Sequence, residues 1–310
     1  MDDFKFLPYI EGLVKAAKAN PAPPFSELTV DQVREARNTA IKTLLGPGPE
    51  VARVAEEQIP VAGGQIALRL YYPQAGGPLP VMMWFHGGGW VVGGVETHDS
   101  LCRKLANKCG ACLASVEYRL APEHKFPTAI EDCYAATKWV AENAERLGLD
   151  ASRLHLGGDS AGGGMVISVA LLAKRRGGPA MAKLVSVYPV TDLASFDKPT
   201  YHTYWDKLIL SGAAMEWFRA QFLGDPADGD DSLASPLLAD DLAGLPPTLV
   251  FTAEHDVLTS DGEMMADRLK EAGVDCLYAC SPGVIHLFLG MGQLNEQENG
   301  LNTVAEFLKS

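Results

Sequence analysis

The pattern of apolar and polar positions begins with two helices and a hairpin. Apolar side chains recur at helical spacing in residues 7–19 and 29–45, and a proline-rich linker separates the two segments. Residues 51–60 and 65–73 then alternate apolar and polar side chains on either side of a Gly-Gly turn. The sequence therefore predicts two amphipathic helices followed by two antiparallel strands.

From residue 80 onward the pattern changes to short apolar runs separated by segments with helical spacing. Strands that are buried on both faces give such runs, and their alternation with helices is typical of a parallel sheet wrapped by helices. With the hairpin included, we predict an α/β fold with a mostly parallel central sheet of about eight strands. The six further strands are predicted at residues 81–85, 113–116, 154–156, 184–188, 249–252 and 276–280.

A long connection between two predicted strands indicates an insertion. A bare loop of this length would be unusual, and residues 208–222 within it have helical spacing. We expect a lid helix there that roofs the sheet together with the N-terminal helices, and a solvent-facing helix is the alternative. The expected organisation is residues 1–50 as part of the cap, residues 51–191 and 234–310 as the α/β core, and residues 192–233 as the cap insertion.

Composition and charge exclude several kinds of partner. The 310 residues are 47% hydrophobic, which suffices for a large buried core. A net charge of −13 without a basic run argues against nucleic acid and anionic membrane surfaces, and leaves small neutral or cationic ligands open. Because the chain shows neither a signal-peptide pattern nor a membrane-spanning apolar run, we expect a cytoplasmic protein without membrane insertion. A homodimer remains open.

The six cysteines do not form a metal-binding or cross-linking pattern. Cys109 and Cys112 have the spacing Cys-x-x-Cys, but no second pair in the sequence completes a zinc site. A chain of this length is also not a disulfide scaffold. We therefore expect buried structural thiols and no metal ion.

A glycine-rich stretch at residues 157–164 carries the first candidate for chemistry. A predicted strand, a sharp turn and an apolar helix meet at Ser160, within the pattern Gly158-x-Ser160-x-Gly162. The pattern is typical of a nucleophile elbow, in which the serine has a strained positive φ and the glycines leave room for the turn. A phosphate-binding loop is the alternative, but no Lys-Ser/Thr follows the glycines.

A second glycine-rich stretch, His-Gly-Gly-Gly-Trp at residues 86–90, follows the first strand of the parallel part. Acyl transfer produces an oxyanion, and glycines let backbone N–H groups point at it without side chains in the way. We expect the N–H groups of Gly87 and Gly88 to hold the oxyanion together with that of Ala161, the residue after the nucleophile. A merely flexible loop is the alternative.

A serine nucleophile needs a general base, which is usually histidine. In an elbow-bearing sheet the acid and then the histidine follow the serine along the chain, each on a loop after a strand. His286 follows the last predicted strand and has this position. His202 lacks a preceding strand, and His255 would adjoin its own acid.

The base in turn needs a carboxylate that orients its ring. Asp256 lies in the loop after the strand predicted at residues 249–252 and fits this role best. Glu254 is too near the strand, and Asp261 is expected to belong to the next helix.

These motifs resemble the bacterial hormone-sensitive-lipase family of α/β-hydrolases. The similarity covers nearly the whole chain beyond about residue 50 and implies an α/β-hydrolase fold and a carboxylesterase that hydrolyses small acyl esters without a cofactor. In two places the sequence departs from the family. The usual Asp-Pro-Leu-Arg-Asp is Asp256-Val-Leu-Thr-Ser-Asp261, and the usual His-Gly-Phe is His286-Leu287-Phe288. The motifs that carry the resemblance are at residues 86–90, 118–124 (Tyr-Arg-Leu-Ala-Pro-Glu-His), 158–163 and 244–247 (Gly-Leu-Pro-Pro).

Three charged residues near these motifs are expected to brace the elbow. Asp159 precedes the nucleophile directly, and Arg119 and Glu123 lie in the motif at residues 118–124. Opposite charges that are buried together can hold a loop in place, so we expect an ionic network among the three with a structural role.

The sequence thus predicts a serine carboxylesterase that hydrolyses short- to medium-chain acyl esters through an acyl-enzyme intermediate. A roofed pocket favours such chains because longer ones would leave apolar surface in water. An amidase or lactonase with the same triad is an alternative, as is a receptor of this fold that binds a small ligand without turnover. Bulky apolar candidates for the pocket walls are Trp90, Tyr188, Trp205, Leu208 and Trp217.

Overall fold

One mixed sheet of eight strands runs through residues 4–310, the part of the chain that the computed structural model describes. In chain order the strands are β1 (Arg53–Val61), β2 (Gly64–Tyr72), β3 (Leu79–Phe85), β4 (Cys112–Val116), β5 (Leu149–Asp159), β6 (Lys183–Val187), β7 (Thr248–His255) and β8 (Cys276–Ile285). Across the sheet they lie in the order β1-β2-β4-β3-β5-β6-β7-β8. β2 is antiparallel to both neighbours and the other pairs are parallel. This confirms the predicted α/β fold.

Helices lie on both faces of this sheet. In chain order they are α1 (Pro8–Ala19), α2 (Val30–Leu45), α3 (Val95–Cys109), α4 (Thr128–Leu147), α5 (Ala161–Arg176), α6 (Pro199–Tyr204), α7 (Gly212–Phe222), α8 (Thr259–Glu271) and α9 (Asn295–Lys309). α4, α5 and α8 contribute side chains to the core on one face, and α3 and α9 to the core on the other. Within residues 4–310, none of the helices combines the length and the hydropathy needed to cross a bilayer.

The side chains of β3 explain why its sequence is a continuous apolar run. Val81, Met83 and Phe85 belong to one core cluster, and Met82 and Trp84 to the other. This is the alternation that successive side chains of a strand require. All five are fully buried, because helices cover the sheet on both sides.

The two N-terminal helices begin where their flanking residues predict. α1 carries Pro8 at its first position, where the missing N–H costs nothing. α2 begins with a capping box: the Gln32 N–H donates to Thr29 Oγ1 at 3.3 Å, and the Thr29 N–H donates to Gln32 Oε1 at 2.9 Å. Residues 1–3 of the predicted N-terminal segment lie outside the described residues.

The insertion contains two helices, of which only the longer was predicted. α7 begins later than the predicted segment because Ser211 caps it, with the Ala214 N–H donating to Ser211 Oγ at 3.2 Å. The short helix α6 precedes it. Phe25, from the linker between α1 and α2, meets Trp217 and Phe218 of α7 edge-on at ring-centroid distances of 5.2 and 5.6 Å. The N-terminal segment and the insertion are therefore packed against each other.

The cysteines are all free thiols. Cys109 ends α3 and Cys112 begins β4, and burial raises the pKa of each thiol to about 12. They are unreactive at neutral pH, as structural thiols are. The expectation of burial holds for four of the six, since Cys276 is half-buried and Cys280 is exposed.

Candidate active site

Ser160 lies in a strained turn between β5 and α5. Its φ of 57° and ψ of −120° are a backbone conformation that side-chain-bearing residues rarely adopt. The turn is pressed against the end of β3. A Cβ atom on Gly162 would lie 1.8 Å from the carbonyl oxygen of Phe85, and one on Gly158 would lie 2.5 Å from the carbonyl oxygen of Gly162. These two positions therefore require glycine, and the packing around them holds the serine in place.

A continuous chain of hydrogen bonds runs from Ser160 to a buried carboxylate. The Oγ atom of Ser160 is 2.9 Å from Nε2 of His286, and Nδ1 of His286 is 2.5 Å from Oδ2 of Asp256. Asp256 also accepts from the Leu258 N–H at 3.1 Å, which fixes the carboxylate. The Tyr188 ring packs on the imidazole at a centroid distance of 4.6 Å. The imidazole nitrogen that faces the serine is thus the one left to accept its proton.

The two alternative acids are engaged elsewhere. Glu254 is half-exposed, and its carboxylate accepts from the Gly283 N–H at 2.7 Å. Asp261 is fully buried in α8, where it accepts from the Thr191 N–H at 3.2 Å and lies 3.7 Å from Nζ of Lys198. Burial raises the pKa of Asp261 to about 7, although Lys198 opposes this. Of the three candidates, Asp256 is the one beside the imidazole.

The two alternative histidines are likewise engaged elsewhere. His202 is exposed on α6 and lies 2.7 Å from Oδ1 of Asp197. His255 is buried at the end of β7, where Nδ1 is 3.0 Å from the hydroxyl of Tyr204. The structure therefore brings His286 alone of these three to the serine.

The glycine-rich loop after β3 lines the same cavity, but its first N–H is not available to a ligand. The Gly87 N–H donates to Oδ1 of Asp159 at 3.1 Å, so the expectation that Gly87 contributes an oxyanion donor is wrong. The N–H groups of Gly88 and Gly89 make no hydrogen bond to any acceptor within residues 4–310. Ala161 is the first residue of α5, so its N–H has no acceptor within the helix. The unpaired donors are thus those of Gly88, Gly89 and Ala161.

Asp159 ties this loop to the elbow. Besides the Gly87 N–H, its carboxylate accepts from Nε1 of Trp84 at 3.2 Å and lies 3.3 Å from Nε2 of His98. Burial alone would raise the pKa of Asp159, but His98, with smaller contributions from His86 and His286, holds it below the usual value. The carboxylate therefore stays charged and keeps both glycine-rich turns in register.

The predicted ionic network of Arg119, Glu123 and Asp159 does not form. Arg119 pairs with Asp132 of α4 at 2.6 Å, and Glu123 pairs with Arg34 of α2 at 2.6 Å. Both pairs link the loop after β4 to a helix. The Asp159 carboxylate beside the elbow is instead held by the neutral donors of Trp84 and Gly87 and by His98. The sequence motifs did not indicate these partners.

The cavity beside Ser160, which we call the serine cavity, is narrow. Its volume is about 30 Å³, and the Gly87–Gly89 loop, Ser160 and His286 form its polar side. A second, smaller cavity lies beside His286 and Asp256. The apolar walls of the serine cavity include Ile41, Val92, Val190, Leu210, Met215 and Phe218.

A larger space of about 540 Å³, which we call the outer chamber, adjoins these cavities between the N-terminal segment and the insertion. Residues 21–26, residues 206–209 and Trp217 line it. Arg37 lines all three spaces. A substrate that reaches Ser160 from this side passes the Arg37 guanidinium.

Two of the five predicted wall residues line these spaces, and none of the five lines the serine cavity. Trp217 lines the outer chamber, and Leu208 lines both the outer chamber and the cavity at His286. Tyr188 supports the imidazole from outside the serine cavity. Trp90 has a φ of 61° and stacks on Phe222 of α7 at 4.2 Å. Trp205 is 37% exposed and packs on Gly212. The structure thus does not bring Trp90, Tyr188 or Trp205 into the walls of the serine cavity.

Sequence reasoning missed Arg37, although the sequence carries a signal for it. Arg37 is four residues from Val33 and from Ile41, both of which are buried on the inner face of α2. A cation in the middle of an apolar stripe points towards the protein interior. Leu287 was noticed as a departure from the family, but its role depends on a backbone angle that the sequence does not reveal.

Among residues 4–310, no grouping of three or more His, Cys, Asp or Glu side chains could hold a metal ion. The order of the strands, the elbow after β5, and the acid and histidine after β7 and β8 define the α/β-hydrolase class. A family model for the α/β hydrolase fold matches residues 82–290.

Known proteins similar over nearly the whole chain are esterases. The ethyl acetate hydrolase of Pseudomonas putida is 36% identical over 97% of this chain and 96% of its own length. Carboxylesterase NlhH of Mycobacterium tuberculosis is 38% identical over 82% of this chain and 81% of its own. The structure of a hyperthermophilic esterase from the archaeon Pyrobaculum calidifontis superposes with a TM-score of 0.95, at 38% identity, over 99% of this chain and 98% of its own.

The chain therefore belongs to the hormone-sensitive-lipase-like (family IV) carboxylesterases of the α/β-hydrolase superfamily. This confirms the resemblance seen in the sequence motifs. The protein is a carboxylic ester hydrolase.

The contrast between Asp256 and Asp261 gives a first prediction. Asp256→Asn should lower kcat by about 10⁴-fold, because the imidazole loses the carboxylate that orients it. Asp261→Asn should leave kcat within a few-fold, since its carboxylate does not touch His286 and asparagine resembles the protonated acid. Steady-state kinetics of the two variants measure the contrast. A larger loss in Asp261→Asn would contradict the assignment.

Asp261 should also affect the stability of the protein, in a way that depends on pH. Its folded-state pKa of about 7 lies above the unfolded value of about 3.9, so its contribution is fully present below about pH 4 and is lost as pH rises through 7. Asp261→Asn should therefore stabilise the protein more at about pH 8 than at about pH 5. Thermal unfolding of wild type and variant at both pH values measures this difference.

Leu287 gives a third prediction. Its φ of 71° and ψ of 6° are left-handed, and its side chain lines the serine cavity. Leu287→Gly and Leu287→Ala both widen that cavity, but only glycine removes the backbone strain of about 1 kcal/mol. The glycine variant should therefore be more stable to urea than the alanine variant by about that amount. An alanine variant as stable as the glycine variant would argue against strain at this position.

Proposed function

We propose that Ser160, His286 and Asp256 hydrolyse acyl esters in two steps through an acyl-enzyme intermediate. The single observation that carries this proposal is the hydrogen-bonded chain from Ser160 Oγ through the imidazole to the Asp256 carboxylate. Ser160 Oγ attacks the acyl carbonyl while Nε2 of His286 takes its proton. The imidazolium that forms is stabilised by Asp256. His286 then returns the proton to the leaving alcohol, and the acyl group remains on the serine.

In the second step, water replaces the alcohol. His286 takes a proton from the water, the resulting hydroxide attacks the acyl carbon, and the proton returns to Ser160 Oγ as the acid leaves. The same three residues therefore serve both steps. A receptor without turnover is disfavoured because the general base is in place beside the serine.

The N–H groups of Gly88, Gly89 and Ala161 hold the oxyanion in both steps. This assignment is supported by their position, since all three residues line the serine cavity or adjoin Ser160, and by the lack of a protein acceptor for their N–H groups in the described chain. Such preorganised donors stabilise charge that develops in the transition state, without any reorganisation when it appears. Asp159 acts through Gly87, whose N–H it holds, and thereby positions the two peptide groups that follow.

The cap consists of residues 1–50 and 192–233 in this proposal, and residues 51–191 and 234–310 form the catalytic core. Support comes from the contacts of Phe25 with Trp217 and Phe218, which join the two cap segments. Ile41 of the first segment and Leu210, Met215 and Phe218 of the second stand over the serine. The core thus carries the chemistry, and the cap carries most of the apolar walls.

The role of Ser160 is tested by Ser160→Ala. The variant should remain folded and lose activity on 4-nitrophenyl acetate by roughly a thousandfold or more, because the nucleophile is gone. Ser152→Ala, an exposed serine on the same strand, is the matched control and should be fully active. An organophosphonate should label wild type at Ser160, as mass spectrometry of peptides would show. Label at another residue, or an active Ser160→Ala, would refute the assignment.

The range of substrates is tested by a series of 4-nitrophenyl esters. Because the serine cavity is narrow and roofed, activity should peak at acyl chains of about two to eight carbons. Each added methylene should help by at most ~0.8 kcal/mol until the walls are filled. The measurement is kcat/KM against chain length. A maximum near sixteen carbons, or activation at a lipid–water interface, would indicate a mobile lid instead.

A further inference from the structure

Arg37 is the one residue of the described cavity linings that is shared by the serine cavity, the cavity at His286 and the outer chamber. It is placed there by α2, where Val33 and Ile41 on the same face are buried in the core. Its side chain therefore runs inward from α2 towards these three cavities.

The guanidinium of Arg37 has no anionic partner in residues 4–310. Its Nε is buried and makes no hydrogen bond within that range, and no carboxylate there forms an ion pair with it. Its Cζ atom lies 5.8 Å from the centroid of the Phe25 ring, which is within cation–π distance. Burial lowers the pKa of Arg37, which nevertheless stays charged at neutral pH. A buried donor without an acceptor is unfavourable unless a ligand supplies one.

The other arginine of α2 shows the contrast. Arg34 donates to both carboxylate oxygens of Glu123, at 2.8 and 2.6 Å, and to the carbonyl oxygens of Val91 and Ala121, each at 2.9 Å. Its charge and its donors are thus satisfied by the protein. Arg37, one turn further along the same helix, is left to face the cavities.

The outer chamber is also locally cationic, against the overall charge of −13. Lys18 and Arg37 line it, and Asp206 is the one carboxylate among its described lining residues. Phe25 and Trp217 supply apolar wall beside these charges. A protein whose surface repels anions on average therefore presents a positive, partly apolar chamber next to its nucleophile.

We propose that Arg37 binds a carboxylate carried by the substrate, so that the enzyme prefers esters with an anionic group on the part that extends into the outer chamber. Monoesters of dicarboxylic acids are the substrate class that this geometry fits. The inference rests on the proposed function, since Ser160 must attack the ester at the other end. A planar guanidinium matches a carboxylate with two parallel hydrogen bonds, and the pair is stronger where water is excluded.

Hydrolysis of such a monoester is an ordinary ester hydrolysis. Water adds across the acyl C–O bond through the acyl-enzyme, which releases the alcohol, the dicarboxylate and one proton to solvent. Arg37 takes no proton and forms no bond to the reacting atoms. Its contribution is binding, so its loss should raise KM for the anionic ester more than it lowers kcat.

The test compares monoethyl glutarate with diethyl glutarate, which differ by one ethyl group and one charge. Wild type should favour the monoester, and Arg37→Gln should lower kcat/KM for it roughly tenfold or more, mostly through KM. The diester should change by less than about threefold. Lys42→Gln removes an exposed positive charge from the same helix and should change neither substrate. Equal losses on both esters in Arg37→Gln would overturn the proposal.

Thermal stability separates a binding role of Arg37 from a purely structural one. Loss of a structural arginine would lower the unfolding temperature. Arg37→Gln should unfold at the same temperature as the wild type or higher, because a cation whose buried Nε–H lacks an acceptor is removed. The product glutarate should raise the unfolding temperature of wild type and should inhibit it competitively, and both effects should weaken in Arg37→Gln. A destabilised variant with unchanged glutarate binding would show a structural role only.

The two proposals fail in different ways. Wild type that does not hydrolyse 4-nitrophenyl acetate would refute the proposed function. Wild type that hydrolyses it, but treats the two glutarate esters alike and ignores glutarate, would refute the carboxylate site alone. These wild-type measurements also decide the matter if Arg37→Gln does not fold.

Discussion

The carboxylate of Asp159 connects the two glycine-rich turns of the candidate site and fixes their relative positions. It accepts hydrogen bonds from Nε1 of Trp84 at the end of β3 and from the N–H of Gly87 in the loop that follows, and it lies 3.3 Å from Nε2 of His98 in α3. Ser160, the proposed nucleophile, is the next residue along the chain. The Gly87 N–H is held by this carboxylate, and the next two residues, Gly88 and Gly89, line the serine cavity. The elbow and the oxyanion loop therefore share one support, and a shift in either would be transmitted through a single buried charge.

Local motifs were sufficient for the elbow and for the chain order of serine, acid and histidine. Each depends on glycines or on a strand end, which the sequence displays directly. The partners of Gly87, Arg119 and Glu123 were predicted wrongly because they depend on elements that are distant in sequence. Arg34 and Glu123, for example, meet across the packing of α2 against the loop after β4. This packing cannot be predicted from the spacing of residues in the sequence.

For the proposed cap, the sequence indicated most of the helices but not the residues that line the serine cavity. Its helices follow from periodicity, whereas the direction of a wall side chain depends on backbone angles in turns. Trp90 has a positive φ and turns onto Phe222, while Leu287 has a positive φ and turns into the serine cavity. Arg37 differs from both, because its place in an apolar stripe of α2 was visible in the sequence. A helical period thus carries more positional information than a glycine-rich loop does.

The residue before α1 is hydrogen-bonded to β8, the strand that precedes His286. The Leu7 N–H donates to the carbonyl oxygen of Gly283 at 2.9 Å, and Glu254 accepts from the N–H of the same glycine. This contact closes a loop of almost the whole described chain. Contacts between residues so far apart in sequence form late in folding, because the entropy of the intervening chain must be lost before the contact contributes favourable free energy. The elbow lies between β5 and α5, which are adjacent along the chain, whereas the strand before His286 is held to the start of α1 by this distant contact. We therefore expect the segment that bears His286 to reach its final position later in folding than the elbow does.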